Sequence, residues 1–508
     1  MQGEGRGWRV PRSAFAALGY ALLIGAWEFA SPIGAAPDEQ AHIVRAAAAG
    51  VGQLDGRPVA PYQRGGGLSP AQADLLNRQT QEFSIPVRLV PPSTCFASAP
   101  DQSAACVGSP RAPAGSYSVA AQSYATTAPP FIYVLAGLAM QLPQDSVLPA
   151  YLGRLALGLV CALLLAAAAS VVSGRGSLWP AVGLALAVTP MVLFLASSLT
   201  PAGVALCAAT CLMAAVVALW TGPPTFGLLS VTVLAGLALV LARPSGLAVV
   251  AAVSVAALPL VRARLLFRPA VLLAFLAVGG GVAVEVGWVL GHQPSLPLGG
   301  LSVTDGLPVV AERWPALVQQ LVGVFGSTDV PLIAAIPAVW SVLAALLIGS
   351  ALVIGSFGER LALLLAASAV VLAAAAYAVI LSPVGWELQG RYVLAVAVLL
   401  PLLGGFVMYR AGAPTRADVF LVGLAVAAMQ FAAFWENAHR YAVGRYGTPD
   451  FVDLAQWSPP GGWLVWVVVA ATGCILVALS LVPLTEAERE DISGSRLIAN
   501  SSMVSVSR

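Results

Sequence analysis

The 508-residue chain contains no lysine: all 25 of its basic residues are arginine, against 23 acidic ones. Charged residues make up only 9% of it, histidine occurs three times and cysteine six. Each scarcity excludes something. No basic cluster suggests a phosphodiester backbone as ligand, so no nucleic acid is expected as a partner. No glycine-rich phosphate loop, zinc-type Cys/His spacing or Ser/His/Asp signature occurs, so an ATP-driven machine is not indicated. The missing lysine, beside abundant Ala, Val and Gly, reads as genomic base composition rather than as chemistry.

What is abundant is apolar surface: 59% of residues are hydrophobic and the mean hydropathy is +0.86. Water would drive a soluble chain of that composition to aggregate. Apolar runs of roughly 18–25 residues match the ~30 Å hydrocarbon layer that a helix must cross. The short alternating segments of a β-barrel do not occur. The expected fold class is therefore an all-α polytopic membrane protein of about twelve spans, read at 14–36, 148–173, 178–198, 201–221, 226–242, 246–261, 269–291, 332–356, 361–381, 391–409, 418–434 and 463–483. The pair 226–242 and 246–261 is short and reads equally as one unit broken around Ala242-Arg243-Pro244. The first run follows Arg6, Arg9 and Arg12 but is too long for a signal peptide, so an uncleaved first helix is expected.

Arginine in short loops marks the cytoplasmic side. With residues 1–13 inside, Arg175, the cluster Arg262/Arg264/Arg268, Arg360 and Arg410/Arg416 all fall inside, and every second loop is basic. The polar, Ser-rich tail 484–508 also falls inside and is expected to be disordered. The same assignment leaves four segments outside: 37–147, 292–331, 382–390 and 435–462. The first and largest carries Cys95 and Cys106, whereas the other four cysteines lie within helices. Two loop cysteines on the oxidising side point to a disulfide.

The scarce charge gathers on that outer side. PDEQAHIVRAAAAG (37–50) reads as an amphipathic helix with Pro37 in its first turn and Gly50 at its end. Asp38, His42 and Arg45 stand at i, i+4 and i+7 and share a face. The bland alternative is a cap, an acidic residue interacting with the helix dipole for ~0.3–1 kcal/mol. WELQGRY (386–392) places Trp386, Glu387, Gln389, Arg391 and Tyr392 where a helix enters the membrane. An arginine at that depth needs a carboxylate or phosphate partner, unless it snorkels within an aromatic belt. GVFGSTDVP (323–331) offers Asp329 as ligand or as N-cap. WENAHRYAVGRYG (435–447) puts Glu436, His439, Arg440, Tyr441, Arg445 and Tyr446 in one outer loop. SYATTAPPFIY (123–133), with Tyr124, reads as a turn into a short interfacial helix 131–143. Arg154 and Arg243 are further cations near the same boundary. Few carboxylates, several arginines and many aromatics suit a lipid-linked phosphate and a sugar ring.

The ordered segments PDEQAHIVRA, CFASAPDQSAAC, YATTAPPFIYVLAG, VTPMVLFLASSLTPAG, VGVFGSTDVP, WELQGRY and RYAVGRYG span roughly residues 20–460. Their order and spacing resemble the DUF2142 family of membrane proteins, and PDEQAH at the mouth of a large outer loop resembles the GT-C superfamily of membrane glycosyltransferases. Family members often show an Asn-Pro and a Glu where this chain has LTPAGVAL (199–206), a departure that bears on any role of that segment.

The resemblance implies transfer of a sugar from a polyprenyl-phosphate donor to a cell-envelope glycan or lipid-linked acceptor on the extracytoplasmic face. It implies that Asp38, with Glu39 beside it, serves as catalytic base or metal ligand. Arg391, with Arg154 or Arg243 as alternates, would hold the donor phosphate. His42, Arg45, Tyr124, Asp329, Trp386, Glu387, Gln389, Tyr392, Arg440, Tyr441 and Arg445 would line the substrate site. Asp38, Glu39 and His42 are compatible with Mg²⁺ or Mn²⁺, without requiring it. Two other readings use the same phosphate-binding groups: a flippase for lipid-linked glycan, and a glycan polymerase or ligase. The sugar, the acceptor and the oligomeric state are not readable from the residues.

Overall fold

The computed structural model describes residues 11–59, 68–97, 99–107, 117–143, 145, 148–174, 177–292, 302–409, 412 and 414–482. The expected tail 484–508, Arg6, Arg9, Arg175 and Arg410 lie outside the described residues.

The chain is an all-α polytopic membrane protein. Among the described residues, eight helices are long and apolar enough to cross a bilayer: Arg12–Ala30, Leu148–Ser173, Pro201–Thr221, Pro269–His292, Ala335–Ile354, Phe357–Val384, Ala417–Val443 and Trp463–Ser480. Three shorter apolar helices, Phe226–Val240, Ser245–Leu260 and Leu394–Met408, occupy other expected spans. The span expected as one helix over 178–198 is instead two, Trp179–Ala187 and Pro190–Ala196, bent by 63°. Pro190 has no N–H to continue the ladder, and its ring excludes the carbonyl four residues back. Thr189 caps the second half, its hydroxyl accepting from the Val192 N–H (3.4 Å) and donating to the Leu321 carbonyl (2.8 Å).

Two other boundaries differ from expectation. The first helix stops at Ala30, not 36. The helix expected over 418–434 runs on to Val443, so Glu436, His439, Arg440 and Tyr441 lie in its last turns rather than in a loop. WENAHRYAV contains no breaker until Gly444, whose φ of +82° ends the helix.

Pro201–Thr221 is hydrophobic on every side and 94% buried, the pattern of a central helix. Pro269–His292 is only 22% buried, which leaves most of it for lipid. The first helix packs between the last one and Leu148–Ser173, and Trp27 meets Phe325, Phe194 and Phe434 edge-on at 4.9–5.9 Å.

The described residues between 31 and 143 build a cap on one end of this bundle. The expected helix forms over Glu39–Gly50, with Pro37 before it rather than in its first turn, and the short helix expected over 131–143 forms over Phe131–Met140. Their backbones touch: a Cβ on Gly50 would fall on the Gly137 carbonyl, and one on Gly137 would fall on that of Ala46. Only small residues permit that approach. Strands 57–58, 81–86 and 118–123 form an antiparallel sheet in that order, with Phe83 opposite Ala121. Phe83 and Ile85 are buried while Ser84 is exposed, the period-two pattern of a half-buried strand. Cys95 and Cys106 are disulfide-bonded, and the other four cysteines are free and buried. At the opposite end, the turns carrying Arg262, Arg264, Arg268 and Arg360 come together, with Gly358 against the Pro259 carbonyl.

Candidate active site

Residues 31–38 fold back before helix Glu39–Gly50 begins, and this reversal sets Asp38 at φ +63°, ψ +2°. The left-handed region costs a non-glycine residue roughly 1 kcal/mol or more, and such positions cluster at functional sites. An aspartate just before a helix ordinarily caps it, yet this side chain makes no cap hydrogen bond. Its Oδ1 instead accepts from the Tyr124 hydroxyl at 3.0 Å, and Oδ2 lies 3.6 Å from Arg391 Nη2. The side chain is 48% exposed.

Asp38 borders a cavity of about 600 Å³ at the cap end of the bundle. His42 and Tyr124 line it from the cap, Arg243 from the break between two short helices, and Arg391 from the turn before Leu394. Trp386 and Tyr392 supply aromatic walls. Thr200, Pro201 and Ala202, from the LTPAG segment, close one side. Three lining residues keep unspent hydrogen-bonding capacity: Thr200 Oγ1, Gln389 Oε1 and Arg391 Nε are buried without a partner among the described residues. Natural interiors satisfy such atoms, so a cluster of open ones on a cavity wall marks a place for a polar ligand.

The turn carrying Arg391 is fixed from behind. Gln320 Oε1 accepts from the Gly390 N–H at 2.6 Å, and Glu387, at the rim, pairs with Arg313 at 2.7 Å. Arg391 stands over the Tyr392 ring at 5.2 Å, and its Nη2 donates a long bond to the Tyr392 hydroxyl at 3.4 Å. Its charge is therefore only loosely used.

Glu39 faces the other way. Arg154 Nε and Nη2 donate to its two oxygens at 2.7 and 2.6 Å, and the N–H groups of Leu199 and Gly34 donate at 2.9 and 2.8 Å. Arg154 also donates to the carbonyls of Glu28, Ser31 and Pro32. Burial raises the Glu39 pKa, but Arg154 and the two N–H groups outweigh it and hold the carboxyl below the usual carboxylate range. The pair is solvent-inaccessible and saturated. Glu39 is thus corrected from a substrate-facing carboxylate, and Arg154 from a phosphate ligand, to two halves of one structural clamp.

A second clamp accounts for three more expected site residues. Arg440 pairs with Asp329 at 2.8 Å and donates to the carbonyls of Phe96, Ala99 and Gln102 in the disulfide loop. Asp329 accepts from the Ser327 N–H rather than capping a helix, and Tyr441 packs edge-on against Phe96. Arg445 is exposed beside Tyr446, and its N–H donates to Pro100. None of these four lines the cavity. Arg45 is fully buried over the Phe83 ring at 5.2 Å, behind the cavity rather than on it.

His42 Nδ1 lies 2.7 Å from the Tyr133 hydroxyl, a partner that the sequence reading did not single out. Burial, with Arg243 and Arg391 adding to it against the opposing pull of Asp38 and Glu39, brings the His42 pKa down to about 4. With Glu39 committed to Arg154 and His42 Nδ1 to Tyr133, the set Asp38/Glu39/His42 does not converge on one point. Among the described residues no three His, Cys, Asp or Glu side chains are grouped to hold a metal ion. The donor set therefore does not fit the Mg²⁺ or Mn²⁺ site that the sequence allowed.

Tyr133, Gln320 and Thr200 are the residues here that the sequence reading passed over. Gln320, with Gln319 a polar pair between apolar neighbours, is the legible signal among them. No curated protein and no solved structure matches the chain. The model of a family described as predicted membrane protein (DUF2142) matches residues 21–400, three quarters of the chain, which belongs to that family.

Proposed function

We propose that this protein is a membrane glycosyltransferase, moving a sugar from a polyprenyl-phosphate donor to a cell-envelope glycan or lipid acceptor on the extracytoplasmic face. The observation that carries the reading is the uncapped, half-exposed Asp38 carboxylate, beside Arg391 in a cavity that Arg243 also lines and that has aromatic walls. Asp38 takes the proton of the acceptor hydroxyl as its oxygen attacks the anomeric carbon. The bond from that carbon to the donor phosphate oxygen breaks on the opposite side, so the configuration inverts. Arg391 and Arg243 stabilise the charge that develops on the departing phosphate. The phosphate leaves without needing a proton, so one carboxylate suffices.

The sidedness is supported by the arginines gathered at the far end and by the disulfide at the cavity end. A cavity where the cap meets the end of the helix bundle suits a donor whose reacting carbon lies just above the headgroups. A flippase of lipid-linked glycan is the second reading. It is favoured by Glu285, buried within Pro269–His292 with neither carboxylate oxygen hydrogen-bonded among the described residues.

The test supplies protein purified in detergent with radiolabelled polyprenyl-phosphate sugars and a crude envelope acceptor extract. Counts transferred to the acceptor are expected with at least one donor. Failure with every donor, together with translocation of lipid-linked glycan in proteoliposomes, would replace the transferase with the flippase.

A further inference from the structure

His42 sits between the cavity and a buried layer. Its ring lines the cavity, and its Nδ1 is engaged by Tyr133 at 2.7 Å with the two rings nearly parallel. Either atom could be the donor on distance alone, and satisfaction of the phenol decides the direction. Tyr133 is fully buried in helix Phe131–Met140, and its hydroxyl has His42 as its one hydrogen-bond partner among the described residues. If Nδ1 carried the hydrogen, the phenolic hydrogen would be stranded in the interior without an acceptor, which buried hydroxyls avoid. If the phenol donates, its hydrogen is satisfied and Nδ1 accepts.

Arg45 favours the same direction. Its guanidinium, one turn along the helix from His42, is buried with no nitrogen hydrogen-bonded among the described residues, and its charge acts on Tyr133. A nearby cation strengthens a phenol as donor and disfavours a second cation on the imidazole. The charged groups acting on His42 are Asp38 and Glu39 from its own helix and Arg243 and Arg391 from across the cavity.

We propose that His42 is a neutral hydrogen-bond donor to the ligand of this cavity, presenting Nε2–H because Tyr133 holds Nδ1. Tyr133 is the positioning residue. The inference rests on the transferase reading only for the ligand's identity, where Nε2–H meets a phosphate or sugar-hydroxyl oxygen. It also separates roles: His42 contributes a fixed donor, leaving Asp38 as the proton acceptor.

The full-length protein contains three histidines, His42, His292 and His439, which makes ¹⁵N-histidine NMR in detergent tractable, with His292→Gln and His439→Gln giving the assignments. The expected spectrum shows His42 protonated at Nε2 only, and still neutral at about pH 5.5, where an ordinary histidine is charged. Adding polyprenyl phosphate should shift Nε2 and leave Nδ1 nearly unmoved. Tyr133→Phe should yield a mixture of tautomers and a titration displaced upward, a change that a purely structural role would not produce. A hydrogen on Nδ1 in the wild type, an imidazolium at about pH 6, or an unmoved Nε2 on adding polyprenyl phosphate would each overturn the inference. If Nε2 responds while no sugar is ever transferred, the inference stands and the transferase reading falls.

Discussion

Glu39 accepts four hydrogen bonds with none of its side chain exposed, whereas the carboxylate one residue earlier is 48% exposed, with a phenol at 3.0 Å and an arginine at 3.6 Å. The two are adjacent in sequence and both are carboxylates. What separates them is the backbone reversal at Asp38, which turns one side chain into the bundle and leaves the other on the cavity. Arg440 with Asp329 repeats the first pattern in another place, with the arginine's remaining donors spent on carbonyls of the disulfide loop. A carboxylate–arginine pair whose hydrogen-bonding capacity is filled builds structure. One that remains open is available to a ligand.

The comparison breaks most readily at the closed clamp. Glu39→Gln or Arg154→Met should each cost about 3–5 kcal/mol, because either leaves an uncompensated buried charge or stranded donors. The expected readout is loss of monodisperse protein, or a large fall in unfolding temperature, in detergent. A normally folded Glu39→Gln would mean that the clamp is not structural. At the open pair the effect moves from folding to binding. Arg391→Lys keeps the charge but loses the planar fork, and should raise the donor KM by ~10-fold with the unfolding temperature unchanged.

Acid sharpens the contrast further. His42 and Glu39 both have folded pKa values below their ordinary ones, so the unfolded chain binds more protons as pH falls. Their stabilisation is complete above the unfolded values and is lost on acidification, for His42 between ~6.5 and about 4. The unfolding temperature should therefore fall from pH 7 to about pH 5, and His42→Gln should flatten that fall. The smallest effect belongs to the exposed Arg313–Glu387 pair at the rim, where Arg313→Gln should change stability by ~0.5 kcal/mol or less.

Membrane helices were legible because each must be apolar over its own length, whatever its neighbours. The break at Pro190 is also legible in VTPM, since proline cannot continue the helix ladder, but hydropathy alone runs unbroken over 178–198. The helix ending at Val443 was cut short because its polar last turns, WENAHRY, look like a loop when only hydropathy is weighed. They are stabilised as helix by Arg440 reaching Asp329, 111 residues away. The cavity-facing set was visible as polar residues on one side of the membrane: Asp38, His42, Tyr124, Arg243, Arg391 and their aromatic neighbours. Which of the polar residues were already paired was not. The partnership of Glu39 with Arg154 spans 115 residues and exists only once the first helix, the cap and Leu148–Ser173 have packed. Arg154 did carry a local signal, since an arginine one turn into an apolar helix demands an anionic partner. Sequence alone left open whether that anion was a protein carboxylate or a bound phosphate.

The proposed role of Asp38 is tested most directly by comparing wild type with Asp38→Asn in the radiolabelled sugar-transfer assay. Asn tolerates the left-handed backbone and keeps the size of the side chain, so folding is preserved and only the proton acceptor is removed. Transfer should fall by at least ~10²-fold while the unfolding temperature stays at the wild-type value. Equal transfer by the two proteins would contradict the assignment of Asp38 as the base.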